Sequence, residues 1–503
     1  MIALAPMADR VLPKGNYVNG SFLKPSKIDG YLERVNPGNL ADRGARFPVS
    51  LSAVDHAVSC AKQAFAGWRD TSALDRAAAL RRFRENLDAH RDRLADQITR
   101  ESGKPRWESL AEINLMMAKV DVTLEAGLSD VADFGPGGNA GICRYKPLGV
   151  CVVLAPFNFP GHLPCGHFLP ALATGNTVVL KPSPLTPGVG QVLADLIDRS
   201  RFPRGVFNMV QGDADVGRAL AIHPDVRGVF VTGRWETGLS IQHDTVGQVR
   251  KLLALETGAK NAAMVFDAES LERTAYEIAF SAFVTAGQRC TSTARVFVTH
   301  DVAPKLIARL AAYAKGLKVG DPFDESTFMG PLASEQAVKR LIRGIDAATA
   351  AGAEPIVAGG PAAAGKDGYY VRPSIHRLKV LGTSVYETDE LFAPDLAIYE
   401  VEDVEHAIEQ NNRSDYGLAL AVFSAKRDVY EKVRRECQEG IVNWNRGTVG
   451  ASSRLPLGGT GRSGNHRPTA LHAVRYATFP VASMEDDHPT MEGINTPPGF
   501  TPD

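Results

Sequence analysis

The segment Val150-Cys-Val-Val-Leu-Ala-Pro-Phe-Asn-Phe-Pro160 decides the fold, because an unbroken apolar run ends there in a proline-bounded turn. Short apolar runs of this kind are typical of strands buried on both faces of a parallel sheet. Similar runs follow at residues 177–180, 206–210, 228–231 and 262–266. Segments with helical spacing separate these runs, and the alternation from 149 to 267 therefore predicts a doubly wound parallel α/β sheet.

Several motif residues stand just after the ends of these strands: Asn158, Lys181, Gly212 and Gly233. In a doubly wound sheet the ligand crevice lies at the carboxyl ends of the strands. Residues in these positions meet at one edge of the sheet. We therefore expect the binding site of a cofactor at this edge.

The chain on either side of this sheet shows other patterns. Residues 52–100 predict two amphipathic helices, because apolar residues recur there at intervals of three and four. A second α/β unit is predicted over 268–445, and its first helix leads towards Cys290. Residues 141–148 and 470–482 are predicted to be extended segments.

The length and composition exclude several classes of protein. The 503 residues predict two or three domains. The 56 Lys plus Arg nearly balance the 57 Asp plus Glu, so the net charge of −1 attracts neither nucleic acid nor an anionic membrane. Six scattered cysteines predict neither disulfides nor a metal site. Because no apolar run reaches membrane-spanning length and residues 1–10 do not resemble a signal peptide, we expect a cytoplasmic protein.

Three separate segments supply the groups that oxidation of an aldehyde through a thioester requires. Cys290, at the end of Ser281-Ala-Phe-Val-Thr-Ala-Gly-Gln-Arg-Cys290, offers a thiol nucleophile. Glu256 closes an apolar run and offers a carboxylate that can activate water. Asn158 offers an amide that can donate to an oxyanion. Because the attacking species is the thiolate, the site must lower the pKa of the thiol or supply a base.

Together these segments resemble the NAD(P)-dependent aldehyde dehydrogenase superfamily, from about Asn16 to near the C-terminus. The resemblance implies an aldehyde-dehydrogenase-like α/β fold, with two doubly wound Rossmann-type domains and an extended oligomerisation arm. It also implies a homodimer or homotetramer. The boundaries it implies are 16–130 with 149–257 for the dinucleotide-binding domain, 258–455 for the catalytic domain, 131–148 with 470–485 for the arm, and 486–503 for a C-terminal tail.

The resemblance implies a role for each of the three groups. Cys290 matches the family's nucleophile, and Glu256 precedes it by 34 residues, which is the family's interval for its general base. Asn158 matches the amide that donates to the thiohemiacetal oxygen together with the Cys290 backbone N–H. Relatives that transfer the acyl group to coenzyme A generally lack the glutamate, so Glu256 favours release of a free acid.

The resemblance further implies NAD or NADP as the cofactor. The residues that match the family's cofactor site are Ala155, Pro156, Phe157, Lys181, Ser183, Gly212, Gly233, Arg234, Gly238, Glu390 and Phe392. Pro184 stands where NAD-preferring members commonly carry a glutamate, and Arg234 stands where the family usually has serine. The choice between the two cofactors therefore stays open, as does a non-catalytic relative that keeps the scaffold.

Segments such as Gly440-Ile-Val-Asn-Trp-Asn445 resemble the succinylglutamate-semialdehyde dehydrogenases of arginine breakdown in particular. The implied substrate is a small acidic aldehyde, N-succinylglutamate 5-semialdehyde, whose carboxylates need donors at a distance from Cys290. The candidate donors are Arg446, Gly450, Ser452 and Ser453, with Arg454 or Arg467 as further arginines. Thr257-Gly-Ala-Lys-Asn261 is more similar to the pyrroline-5-carboxylate dehydrogenases, so glutamate semialdehyde and other aldehydes stay open as substrates.

Overall fold

The computed structural model of the chain describes residues 11–136, 141–365, 367–379, 381–486, 490–491 and 494–500. Parts of three predicted segments lie outside these residues: the N-terminal stretch 1–10, residues 137–140 of the predicted arm, and residues 487–489, 492–493 and 501–503 of the predicted tail.

The helices of the described residues are α1 (Ser52–Asp70), α2 (Ala73–Ala89), α3 (Arg91–Ser102), α4 (Arg106–Val122), α5 (His162–Ala173), α6 (Pro187–Arg199), α7 (Ala214–Ile222), α8 (Trp235–Thr245), α9 (Leu271–Phe283), α10 (Ala303–Gly316), α11 (Glu335–Ala350), α12 (Val385–Thr388), α13 (Val404–Asn412), α14 (Arg427–Glu436) and α15 (Ala473–Tyr476). A π-helical turn (Thr123–Gly127) and a 3-10 turn (Leu128–Val131) follow α4, and a 3-10 turn (Val284–Gly287) follows α9.

The strands are β1 (Asn16–Val18), β2 (Ser21–Leu23), β3 (Gly30–Asn36), β4 (Asn39–Val49), β5 (Ile142–Pro147), β6 (Val150–Leu154), β7 (Thr177–Lys181), β8 (Phe207–Met209), β9 (Val226–Thr232), β10 (Leu252–Glu256), β11 (Asn261–Val265), β12 (Thr293–Thr299), β13 (Glu354–Val357), β14 (Gly360–Pro361), β15 (Val371–Arg372), β16 (Ser374–Leu378), β17 (Asp395–Val401), β18 (Tyr416–Gly417), β19 (Ala419–Phe423), β20 (Ile441–Trp444), β21 (Pro456–Leu457), β22 (Thr460–Gly461), β23 (Thr469–Ala470) and β24 (Thr478–Ser483).

The first sheet has seven strands in the order β10-β9-β6-β7-β8-β1-β2. The strands from β10 to β8 are parallel, and β1 joins β8 in the antiparallel direction. They are apolar and buried because helices pack against them to form one core. The chain passes from β6 to β7 on one side and later returns to β9 on the other. The strand order therefore reverses between β6 and β9, which is where a doubly wound sheet binds its ligand.

The second sheet also has seven strands, in the order β13-β16-β17-β12-β11-β19-β20, and it has a core of its own. All its neighbouring strands are parallel except β13 and β16. The run at 262–266 pairs here with β12 and β19, so its prediction as a first-sheet strand is wrong. The sequence of an apolar run does not indicate which of two sheets the strand joins. The α/β fold with two such sheets is confirmed, whereas the exact domain boundaries stay predictions.

β5 and β24 form a separate antiparallel pair, from Ile142 opposite Ser483 to Pro147 opposite Thr478. The extended segment predicted at 141–148 is confirmed. The prediction of a continuous extended segment over 470–482 is wrong, because α15 interrupts it. A helical turn there buries neighbouring apolar residues in the first core, which an extended chain would place on opposite faces.

The region 52–100 forms three helices, α1 to α3, so the prediction of two is wrong. The additional break lies at His90, whose φ of −121° and ψ of 23° are not helical. The apolar stripe from Leu80 to Ile98 continues across the break, because α2 and α3 pack against the same core. No helix among the described residues combines the length and the apolar composition needed to cross a membrane.

Candidate active site

A cleft with a volume of about 660 Å³ lies where the strand order of the first sheet reverses, between the loops that follow β6 and β9. Nine of the eleven predicted cofactor residues line it: Ala155, Pro156, Phe157, Lys181, Ser183, Gly233, Arg234, Glu390 and Phe392. Asn158, Glu256 and Cys290 line the same cleft. The structure therefore brings the thiol, the carboxylate and the amide together beside most of the predicted cofactor residues.

The other two predicted cofactor residues, Gly212 and Gly238, do not line this cleft. A Cβ atom at Gly212 would lie 2.3 Å from Val216, and one at Gly238 would lie 2.8 Å from Thr257. Both positions need glycine because the backbone packs closely against a neighbour. These glycines shape the segments behind the cleft wall.

The loop that carries Cys290 begins with a left-handed turn after α9. Thr285, Ala286 and Gly287 have φ values of 57°, 51° and 67°. A Cβ atom at Gly287 would lie 2.3 Å from the carbonyl oxygen of Ala393, so only glycine fits there. Left-handed backbone at the other two residues is unfavourable by about 1–3 kcal/mol each, so contacts from outside the loop must hold the turn.

Asn261 is a residue of this site that the sequence analysis did not single out. Its Nδ2 donates to the carbonyl oxygens of Cys290 at 2.7 Å and Ser292 at 2.9 Å. Its Oδ1 accepts from the Ala419 N–H at 2.9 Å. Asn261 thus joins the Cys290 backbone to the second sheet. A polar residue at the start of a buried strand is the signal that could have identified it.

Glu256 ends β10, and its Oε1 lies 3.7 Å from the Sγ of Cys290. The side chain is buried, and Oε2 has no hydrogen-bond partner among the described residues. Burial raises the pKa of Glu256 to about 7, against the opposing effects of the Cys290 hydrogen bond and the Lys119 charge. A carboxylate with a pKa near neutrality is suited to accept a proton from a thiol or from water.

The thiol of Cys290 has a pKa well above its ordinary value. Burial is the main cause, and the negative charges of Glu256 and Glu390 add to it. The thiol is therefore protonated at neutral pH in this arrangement. Of the two routes to a thiolate considered from the sequence, the structure offers a neighbouring base and does not lower the pKa of the thiol.

Asn158 is buried in the loop after β6. Its Nδ2 donates to the carbonyl oxygen of Gln288 at 2.9 Å, which ties this loop to the one that carries Cys290. The backbone carbonyl oxygen of Asn158 accepts from the Nζ of Lys104 at 2.9 Å. A side-chain amide has two N–H donors, so a second one is available to a ligand.

Lys181 ends β7 with a buried ammonium group. Its Nζ donates to the carbonyl oxygens of Pro182 at 2.9 Å and Gly212 at 3.2 Å, and the third N–H is available to a ligand. Burial lowers its pKa to about 8, and the charge of Asp213 opposes this change. Ser183, two residues further along, adds a hydroxyl to the same part of the cleft.

Glu390 and Phe392 reach the cleft from the segment after α12. Oε1 of Glu390 accepts from the Ala259 N–H at 2.9 Å, and burial raises the pKa of Glu390 to about 7. The Phe392 ring meets the Phe157 ring edge-on, with centroids 5.9 Å apart. Together these residues give the cleft a polar acceptor beside an aromatic wall.

Arg234 lies at the N-terminus of α8, on the cleft wall. Its Nε is 3.3 Å from the carboxylate of Glu236, and both side chains are mostly exposed. Arg340 of α11 lines the same cleft and donates from Nε to the Leu391 carbonyl oxygen at 2.7 Å. The guanidinium of Arg234 is thus at the cleft, held next to an acidic neighbour.

The predicted substrate residues follow β20 and are exposed or half-buried: Arg446, Gly450, Ser452 and Ser453. None of them lines the cleft described above. Their loop is joined to the segment after Cys290 through Thr448, whose hydroxyl lies 2.8 Å from that of Thr293. Contact of these residues with a substrate stays a prediction.

Comparison with known proteins assigns this arrangement to a family. The sequence profile described as "Aldehyde dehydrogenase family" matches residues 26–479. The chain belongs to the aldehyde dehydrogenase family. The resemblance inferred from the sequence is thereby confirmed, and the chain is an enzyme that oxidises an aldehyde.

Curated relatives of this aldehyde dehydrogenase include the N-succinylglutamate 5-semialdehyde dehydrogenase of Burkholderia ambifaria, which is 38% identical over 477 residues, with 92% of this chain and 95% of the relative covered. The enzyme of the same name from Burkholderia cenocepacia is 38% identical over 475 residues, again with 92% and 95% covered.

Solved structures share the fold of this aldehyde dehydrogenase. An NAD-dependent aldehyde dehydrogenase from Sinorhizobium meliloti superposes with a TM-score of 0.91 at 26% identity, covering 98% of this chain and 97% of that one. A cysteine-to-alanine mutant of aldehyde dehydrogenase C from Pseudomonas syringae, in complex with NAD+ and octanal, superposes with a TM-score of 0.88 at 28% identity, covering 96% and 98%.

Proposed function

We propose that this aldehyde dehydrogenase oxidises an acidic semialdehyde to the free acid with NAD or NADP, through a thioester on Cys290. The observation that supports this most strongly is the meeting of Cys290, Glu256 and Asn158 in one cleft. The sulfur lies 3.7 Å from the carboxylate, which is close enough for proton transfer after a small adjustment. A scaffold without catalysis has no need of all three groups together.

In the first step Glu256 accepts the proton of the Cys290 thiol, and the thiolate sulfur attacks the aldehyde carbon. The aldehyde oxygen becomes an oxyanion. The free N–H of the Asn158 amide and the backbone N–H of Cys290 are the donors proposed for it. The cofactor, when bound, supplies the hydride acceptor that converts this adduct into the thioester.

Before the second step Glu256 releases the thiol proton to solvent. The Glu256 carboxylate then accepts a proton from water, and the water oxygen attacks the thioester carbon. The same two donors receive the new oxyanion. Collapse of this adduct breaks the carbon–sulfur bond, releases the acid and returns the Cys290 thiolate, which then regains a proton. Because Glu256 serves both steps, a pKa near 7 allows it to accept and release a proton around neutral pH.

Replacement of Asn158 by alanine is expected to lower kcat by about 10²- to 10³-fold with little change in KM, because one oxyanion donor is lost. Steady-state kinetics at saturating cofactor measure this. Asn114→Ala, on the exposed face of α4, is the matched control and is expected to leave kcat unchanged. A kcat for the Asn158 variant within about threefold of the unmodified enzyme would remove this residue from the mechanism.

The cleft residues fit a dinucleotide. The third N–H of Lys181 can donate to the hydroxyls of one ribose, and the second carboxylate oxygen of Glu390 can accept from the hydroxyls of the other ribose. Phe392 offers a flat surface to an aromatic ring. Pro184 stands where a glutamate would repel the 2′-phosphate of NADP, so this position does not exclude NADP. Asp213, however, lies near Lys181 and lines the cleft, so we expect NAD to bind more tightly than NADP.

The proposed substrate is N-succinylglutamate 5-semialdehyde, the aldehyde named in the curated relatives from Burkholderia. The proposal draws further support from the hydroxyls and backbone amides around Gly450, Ser452 and Ser453, which are donors suited to carboxylates, and from Arg446. Pyrroline-5-carboxylate, in equilibrium with glutamate semialdehyde, is the second candidate, on the strength of the 257–261 segment alone.

An assay of acidic and neutral aldehydes against both cofactors tests the proposed function. We expect the highest kcat/KM for N-succinylglutamate 5-semialdehyde with NAD, a lower value for glutamate semialdehyde, and the lowest for an uncharged aldehyde of similar length. Turnover is expected without coenzyme A. Equal kcat/KM for charged and uncharged aldehydes would refute the acidic substrate class, and a requirement for coenzyme A would refute hydrolysis.

The proposed organisation follows the predicted boundaries. Residues 16–130 with 149–257 bind the dinucleotide, and 258–455 supply the nucleophile. Residues 131–148 with 470–485 form the arm that joins copies into a homodimer or homotetramer. Support comes from the antiparallel pair of β5 and β24, since a two-stranded ribbon leaves edges that another strand can extend. We also propose that the enzyme is cytoplasmic.

A further inference from the structure

Helix α4 carries three ionisable side chains that are almost completely buried: Glu108, Glu112 and Lys119 are exposed by 2%, 0% and 3%. Their spacing of four and then seven residues places them on one face of the helix. Charged groups buried to this extent are costly unless they bind partners. The contacts of Glu108 and Glu112 lead to two different segments of the active site.

Glu108 binds the loop that carries Cys290. Its Oε1 accepts from the Thr285 N–H at 3.2 Å, and its Oε2 accepts from the Arg289 guanidinium at 2.8 Å and from the Thr285 hydroxyl. Thr285 begins the left-handed turn, and Arg289 immediately precedes Cys290. Glu108 therefore holds both ends of the strained segment that presents the thiol.

Glu112 binds the loop that carries Asn158. Its Oε1 accepts from the N–H groups of Gly161 at 2.8 Å and His162 at 2.9 Å. Its Oε2 binds the ammonium of Lys104, which donates to the carbonyl oxygen of Asn158 at 2.9 Å. Glu112 thus fixes Asn158 on one side through Lys104 and on the other through the start of α5.

We propose that α4 is the positioning helix of this active site: Glu108 orients the Cys290 loop and Glu112 orients the Asn158 loop. The proposal rests on the proposed roles of Cys290 and Asn158. Each of the two glutamates acts through one of these residues, and neither glutamate lines the cleft.

A cofactor-free assay separates these roles. An activated ester such as p-nitrophenyl acetate can acylate a thiol and release nitrophenolate without any redox step. The first turnover then reports acylation of Cys290, and the steady state reports hydrolysis of the thioester. Rapid-mixing absorbance measurements on the full-length enzyme give both rates. If the unmodified enzyme turns over this ester but oxidises no aldehyde, the proposed function fails while the positioning roles remain testable.

Two variants are expected to give two different results. Glu108→Gln slows acylation about tenfold or more, because the thiol is no longer held in place. Glu112→Gln slows acylation to a similar extent, but by less than about twofold in an Asn158→Ala background, because it acts through that amide.

A control variant separates positioning from general damage. Asp121→Asn, which breaks an exposed ion pair with Arg84 on the outer face of α4, is expected to change neither the acylation rate nor the hydrolysis rate. The proposal is overturned if Glu112→Gln has its full effect in the Asn158→Ala background, or if Glu108→Gln acylates at the original rate.

Discussion

Replacing Cys290 with alanine is expected to abolish aldehyde oxidation while cofactor binding persists. Cys290 is the cysteine that lines the cleft, and without its sulfur neither the thiohemiacetal nor the thioester can form. Loss of a nucleophile of this kind lowers kcat by about 10⁴-fold or more. The proposed cofactor contacts come from other residues, so the dissociation constants for NAD and NADP are expected to change by less than about twofold.

Quenching of protein fluorescence measures cofactor binding, and formation of reduced cofactor at 340 nm measures oxidation. Cys60→Ala, on α1 and outside the cleft, is the matched control and is expected to keep full activity. Substantial turnover by the Cys290 variant would refute the thioester route. Absence of binding of either cofactor by the unmodified enzyme would instead favour a scaffold without catalysis.

The sequence predicted the α/β fold and the edge of the sheet at which the cleft lies, because both depend on local signals. An apolar strand followed by a polar residue fixes where that residue lies in a parallel sheet, and this places Asn158 and Lys181 at one edge. The meeting of Cys290 with Glu256 and Asn158 was predicted from the family resemblance, because Cys290 follows the first strand of the second sheet and reaches the cleft from the other half of the chain.

The charged face of α4 could not be predicted in the same way. Glu108, Glu112 and Lys119 have the spacing of a solvated helical face as much as that of a buried one, and the partners of the two glutamates lie on distant segments. The assignment of 262–266 to the first sheet failed for a related reason. Which sheet a buried strand joins, and which side chains a helix meets, are decided by packing across long sequence separations.

The pKa values of the two reacting groups are raised together, and this has a chemical consequence. Burial raises the pKa of Cys290 well above that of a free thiol, so its thiolate is rare until a base removes the proton. Burial also raises the pKa of Glu256 to about 7, which makes its carboxylate a stronger base than a solvated one. The raised pKa of the thiol therefore slows its chance oxidation, while Glu256 keeps a proton acceptor 3.7 Å from the sulfur.

Replacing Glu256 with glutamine is expected to lower kcat by about 10²- to 10⁴-fold, which is the usual contribution of a general base. Thioester hydrolysis is expected to suffer more than acylation, because water is a far weaker acid than a thiol. The acyl-enzyme therefore accumulates, and mass spectrometry of the denatured protein is expected to detect it. Turnover of the unmodified enzyme rises with pH through about 7 as Glu256 loses its proton, and the variant is expected to lack this rise.

Thermal unfolding separates this catalytic loss from damage to the fold. The pKa of Glu256 is higher in the folded enzyme than in the unfolded chain, so its protonated form favours folding, and this contribution is lost as the pH rises through 7. Glu256→Gln removes the buried charge, so its melting temperature at pH 8 is expected to exceed that of the unmodified enzyme, with a smaller difference at pH 5. An inactive variant that also melts earlier at pH 8 would point to misfolding, and an active variant without the pH dependence would assign the hydrolytic base to another group.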